Sequence, residues 1–162
     1  MRQEIRSISR VLKEIQSDGF ESLGFYGLTG RVAQVLGASG AAVLVIDPED
    51  QNCVQARALL MDGQPINDFC YDCRNTPCEI VVGGRDCVVT HDVQRRFPKD
   101  RMLVDLGLSG YAGVPLRSPD GRIIGLIAAF FRKPVADGEL ILEILRTVAS
   151  FVGSRLADRI SR

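Results

Sequence analysis

The sequence predicts an α+β fold: a central antiparallel sheet of five or six strands, with N- and C-terminal helices packed on one face. Two observations carry this. Apolar, branch-rich runs come as neighbours joined by turn sequences, 41–47 with 53–61 and 109–116 with 123–131, so hairpins rather than helical crossovers link the strands. The long helical patterns sit at the two ends of the chain: Ile5, Ile8, Leu12 and Ile15 form one stripe, and Ile141, Leu145, Val148 and Val152 another.

In chain order, residues 4–17 read as a helix stopped by Asp18-Gly19. A second helix covers roughly 20–37, with Leu28, Val32, Val35 and Leu36 as its apolar side and Gly37 as its end. Gly24, Gly27 and Gly30 weaken its first half, and their spacing suggests close approach of another backbone. AAVLVID (41–47) is a buried strand, DPEDQN a turn and CVQARALLM (53–61) the returning strand. After the turn MDGQP, an extended segment covers about 67–73. Thr76-Pro77-Cys78-Glu79 is a helix start, with Thr76 as cap and Pro77 at the first helical position, and Gly83-Gly84 ends that helix. DCVVTHDV (86–93) reads as a strand, and a turn at Pro98 leads into a helix that stops at Gly107. The strands 109–116 and 123–131 flank the turn SPDGR. A long helix follows over 137–161, capped by Asp137. Its second stripe, Leu140, Ile144 and Phe151, is available to another helix, near the N-terminus or in a partner chain.

The 162 residues suffice for one ordinary core. Lys+Arg and Asp+Glu both number 20, so no long-range attraction favours nucleic acid or an anionic membrane. No run reaches the length of a membrane span and MRQEIRSIS lacks a signal peptide's apolar core, so the expected location is cytoplasmic. The cysteine count is 5, an odd number, and free thiols are expected there rather than disulfides.

Chemistry-bearing motifs are few. Cys70, Cys73, Cys78 and Cys87 supply enough thiols for a zinc or iron–sulfur site, but Cys70 and Cys73 would point to opposite faces of a strand. Buried or semi-buried thiols are the favoured reading, with no metal expected. Cys78, at a helix start that lowers thiol pKa, is the candidate for redox sensing. His91, the lone histidine, reads as a solvent-facing or hydrogen-bonded residue rather than a ligand. Arg95, Arg96, Lys99 and Arg101 read as a solvated loop. There is no Gly-x-Ser-x-Gly elbow, phosphate loop or HExxH motif, so no enzyme is expected in this chain and no cofactor is assigned.

YDCRNTPCEIV (71–81), Phe97-Pro98-x-Asp100, Tyr111-x-Gly113-x-Pro115-Leu116 and Gly121-x-x-x-Gly125 together resemble one branch of the GAF domains, over about residues 20–155. Cys73 departs from that pattern, which has an apolar residue there, and is read as a small hydrophobe. The resemblance implies a helix over 1–19 that signals or dimerises and a sensory domain over 20–162. It also implies short helices and loops covering a ligand pocket on the second face of the sheet, around Tyr71, Cys78, Val89, Phe97, Leu103 and Tyr111. It implies a homodimer through the terminal helices, an unknown small molecule, and an attached output domain: histidine kinase, diguanylate cyclase or HD-type phosphohydrolase. The last helical pattern runs to Arg162 and suggests a piece of, or partner to, such a larger protein. Two alternatives stay open: a thiol-dependent methionine sulfoxide reductase-like enzyme, and a dimerisation module without a ligand.

Overall fold

The structure is a computed structural model that describes residues 9, 10, 13 and 19–160, with side chains from 24 to 158 in the continuous part. The expected helix over 4–17 lies outside the continuously described residues; 9, 10 and 13 are helical.

The first continuous helix, α1, spans Gly19–Leu36. Gly24 breaks it with φ 67°, and a Cβ there would meet nothing within 4 Å. The expectation of close backbone approach at this glycine is therefore wrong: its role is the positive φ of a kink. Gly37 ends the helix in the left-handed region, with φ 64°.

Strands β1 (Gly40–Ile46) and β2 (Cys53–Met61) form the first hairpin. Two short strands, β3 (Gln64–Pro65) and β4 (Cys70–Asp72), both pair with β2. Then come helix α2 (Pro77–Val82), strand β5 (Cys87–Val89), and helices α3 (Val93–Arg96) and α4 (Arg101–Asp105). The second long hairpin is β6 (Gly110–Arg117) with β7 (Ile123–Phe131), and helix α5 (Gly138–Ile160) closes the domain.

The sheet is seven-stranded and antiparallel, in the order β3-β2-β1-β7-β6-β5 with β4 also on β2. Seven strands exceed the five or six expected because β3 is a two-residue bridge with no periodicity to read. Hairpins are not the only connection, since β1 and β7 pair at the centre and the chain from β4 to β5 crosses over one face.

Alternation of side chains sorts the core onto two faces. Ala41, Val43, Val45, Ala112, Val114, Leu116, Ile127 and Ala129 point toward α1 and α5. Ala42, Leu44, Leu126, Ala128, Tyr111 and Phe130 point the other way, under α2 to α4. A bulge skips Arg57 between Ala56 and Ala58, and switches β2 from one alternation to the other. Both stripes of α5 are used within the chain: Ile141, Leu145, Val148 and Val152 are buried, and so is Ile144, while Leu140 and Phe151 are partly buried against the same core. The Asp137 cap is formed, with its Oδ1 accepting from Leu140 N at 3.1 Å.

Candidate functional site

The six residues expected at a pocket meet in the core under α2 to α4. Cys78, Val89, Leu103 and Tyr111 belong to that core cluster, and Tyr71 and Phe97 pack against it partly buried. Register explains part of this. Tyr111 sits on β6 opposite Val89 of β5 and opposite Phe130 of β7, so one row crosses the sheet. Its ring is 5.9 Å from that of Phe130, tilted by 52°. Gly113 lets the ring lie along the strand: a Cβ there would come 2.6 Å from the Tyr111 hydroxyl.

Cys78 comes from the first turn of α2, which Pro77 starts with its fixed φ. Thr76 occupies the cap position, but makes no side-chain cap bond; its hydroxyl donates to the Cys73 carbonyl at 2.6 Å instead. That bond ties β4's end to α2 and places Cys73 and Cys78 on the same interior.

The centre of the site is a small polar cluster in apolar surroundings. The Cys78 thiol and the Tyr111 hydroxyl are 3.1 Å apart. Burial pushes the Cys78 thiol up to about 11, although the neighbouring Tyr111 and Tyr71 hydroxyls pull it down. The helix-start argument for an activated thiol at Cys78 thus fails, because desolvation outweighs the short helix's field. Burial also pushes Cys73 up to about 12, and raises Cys87 against the opposing charge of Arg96. Both phenols are driven well above the ordinary tyrosine value, first by burial and then by Cys78.

Two polar atoms in this region have no hydrogen-bond partner: the Tyr71 hydroxyl and Asp100 Oδ2. Tyr71 OH lies near enough to Cys78 and Thr76 for both to shift its ionisation, yet bonds to neither with acceptable geometry. Asp100, only 4% exposed, uses Oδ1 to cap α4, accepting from Met102 N at 3.1 Å. Burial raises its carboxyl above the ordinary value while the Met102 and Leu103 amides oppose that, and its charge reaches Cys78. Asp100 was legible only as part of a motif; no sequence pattern marks a carboxylate as half-partnered.

The other candidates separate. Cys70 is exposed while Cys73, Cys78 and Cys87 are buried, and no group of three or more metal-ligand side chains forms among the described residues. His91 is exposed, 3.3 Å from Asp92. Arg95, Arg96, Lys99 and Arg101 are exposed as expected. Three surface concavities lie elsewhere. The largest of these, ≈ 480 Å³, sits between Leu36–Ser39, the segment after β7 and the start of α5. Another, ≈ 360 Å³, adjoins the Arg146–Asp86 ion pair (2.6 Å), and the third is beside Ser118 and Ala157. None is lined by any of the six residues. No helix among the described residues is long and apolar enough to cross a membrane.

Solved structures share this architecture. The chromophore-binding domain of Stigmatella aurantiaca bacteriophytochrome matches with TM-score 0.72 and 14% identity over 96% of this chain, which spans 60% of that one. The nlh2 GAF domain of A. aeolicus, in an inactive state, matches with TM-score 0.69 and 16% identity over 93% of both chains. The GAF domain of Acinetobacter phosphoenolpyruvate-protein phosphotransferase matches with TM-score 0.69 and 12% identity, over 93% of this chain and 90% of that one. At such identities these establish a shared fold. No curated protein sequence matches the chain. The family comparison matches residues 25–157, from the kinked α1 to the end of the α5 core, and by that match the chain belongs to the GAF domain family.

Proposed function

We propose that this chain is a sensory domain that binds a small molecule in the interior beneath α2 to α4 and controls an attached output domain. GAF domains are in general sensory rather than catalytic modules. The observation that carries ligand binding is the pair of buried, unpartnered polar atoms, Tyr71 OH and Asp100 Oδ2. Packing alone gives no reason to keep them, since each unmet buried polar group costs about 1–3 kcal/mol. The interior touches β1, β6 and β7, whose opposite faces carry α1 and α5. A ligand that shifts these strands therefore shifts the terminal helices, and the output domain reads that movement. A histidine kinase, diguanylate cyclase or HD-type phosphohydrolase fits this role, with the terminal helices joining two copies. The unpaired state of Cys53, Cys70, Cys73, Cys78 and Cys87 supports work in a reducing cytoplasm.

A ligand-free interaction module is the second reading, and one observation favours it: Tyr111, Leu103 and Phe130 already fill the interior with 1% exposure each. The raised thiols of Cys73 and Cys78 weigh against a thiol-dependent reductase. Native mass spectrometry of the freshly purified chain, with an absorption spectrum, separates the two. The expected result is an added noncovalent mass that disappears on denaturation. A clean apo mass, together with no thermal shift across a metabolite panel, establishes the module instead. A strict monomer at high concentration removes the helix-mediated dimer.

A further inference from the structure

The concavity beside the Arg146–Asp86 ion pair lies on the α5 side of the sheet: Val114 and Ala149, which line it, belong to the core under α1 and α5. It is therefore separate from the interior beneath α2 to α4. Its walls are β6, α5 and the loop before β5. They bring two guanidiniums, Arg117 and Arg146, to one space of ≈ 360 Å³ with a single carboxylate, Asp86. That volume is at the lower end of what small-molecule sites occupy, about 300–1,000 Å³. Both arginines are anchored. Arg146 Nε donates to Asp86 Oδ2 at 2.6 Å. Arg117 Nη1 donates to Gly121 O at 3.1 Å and Nη2 to Gly84 O at 3.4 Å, so its bonds are to carbonyls and not to a carboxylate. Gly84 and Asp86 are two residues apart, a span of at most about 7 Å, so one loop sets both guanidiniums at the same cavity.

We propose that this concavity binds a small phosphate monoester. The donors left over decide the class. Arg146 bonds Asp86 through Nε alone, which leaves both its terminal nitrogens for another acceptor. Arg117 keeps Nε and a second hydrogen on each terminal nitrogen. Asp86 offsets one of the two positive charges, and Glu139 and Glu143, which act on Arg146 along α5, do not line the space. One positive charge is therefore left in the concavity, on planar forks that match phosphate oxygens. Ser150 adds no donor, since its hydroxyl donates to Thr147 O at 2.8 Å. Val114, Pro115 and Ala149 supply apolar contact for a small organic body. A cationic ligand would meet the unbalanced guanidinium. A phosphate bound there bridges α5 to β6 and to the loop before β5.

The test is an NMR titration of the full chain at neutral pH and constant ionic strength with phenyl phosphate, inorganic phosphate and phenol. Phenyl phosphate is expected to shift the amides of Gly84, Arg117 and Ser150 saturably. Inorganic phosphate should shift the same set more weakly, and phenol should leave them unmoved. Arg117→Gln and Arg146→Gln are each expected to weaken phenyl phosphate about tenfold, through the loss of charge-assisted bonds. Arg95→Gln removes the same charge at an exposed position of α3 and should change nothing. Asp86→Asn removes the opposing carboxylate and is expected to tighten binding about threefold, a gain that a misfolded variant cannot mimic. The proposal is overturned by the absence of a saturable shift, by shifts centred on Arg95–Arg101, or by affinity unmoved in both arginine variants. Phenol binding as tightly as phenyl phosphate overturns it as well. Each of these results leaves the interior beneath α2 to α4 untouched, so the two readings fail separately.

Discussion

At Cys53 and Cys78 the same thiol pKa of about 11 has two different causes, and reactivity follows the cause rather than the number. Cys78 is buried and its thiol is raised by desolvation. Cys53 sits at the surface end of β2, and a hydrogen bond to Asp50 Oδ2 at 3.3 Å is the largest influence raising it. Iodoacetamide at neutral pH is therefore expected to label Cys70 first, since it is exposed, then Cys53 slowly, and to leave Cys78 untouched in the folded protein. Asp50→Asn removes the carboxylate that opposes the Cys53 thiolate. Its labelling rate should then rise roughly tenfold, less than the full shift implies because solvent screens an exposed pair. Peptide mapping after timed alkylation reads this directly. Rapid labelling of native Cys78 would overturn the burial argument and restore a redox role.

At the scale of elements, what the sequence shows depends on length. The strands expected at 53–61 and 123–131 are the strands observed, and Asp137 caps the last helix, because nine apolar-rich residues or a formed cap leave a readable pattern. The strand expected over 86–93 shrinks to Cys87–Val89, since Asp92 turns the chain at φ 55° and Val93 starts a helix of four residues. Such one-turn helices and two-residue bridges have no period to detect. Glycines show the same limit: Gly24 is a kink, while close approaches to backbone occur at Gly125, whose Cβ would lie 2.1 Å from Leu44 O, at Gly40 and at Gly153. Gly153 lies inside α5, where its replacement by alanine would favour the isolated helix by roughly 1 kcal/mol. Against that, a Cβ there would come 2.4 Å from Arg117 O of β6, which is backbone and cannot swing aside. Contact wins: Gly153→Ala is expected to destabilise by about 1–3 kcal/mol as α5 is pushed from the sheet. The neighbouring exposed Ser154→Ala should be neutral or slightly stabilising. Denaturant melts of both variants decide it, and a stabilised Gly153→Ala would show that the α5–β6 contact is looser than described.

Across the whole molecule the two faces of one sheet are built differently. One carries the long helices α1 and α5; the other carries α2, α3 and α4, of six, four and five residues. Isolated turns of that length are not stable by themselves, so this covering layer is held by side chains such as Val93, Leu103 and Leu108 inserted against the sheet. That Tyr71, Cys78, Val89, Phe97, Leu103 and Tyr111 share one interior followed from the family resemblance, not from any period or composition in the sequence. The polar logic of that interior was not legible, since only the packed structure shows that Tyr71 and Asp100 lack partners. A layer of short elements over a fixed sheet is also where the proposed ligand would enter, because local opening draws on the least stable parts of a fold. Hydrogen exchange should resolve this as two classes. Amides of β1 and β7, paired on both sides at the sheet centre, are expected to exchange slowest, and those of α3 and α4 at least about tenfold faster. A bound ligand should protect α3 and α4 preferentially and change β1 and β7 little. Uniform protection across both classes would mean that the covering layer opens only with global unfolding, and would close the route by which a small molecule reaches Cys78.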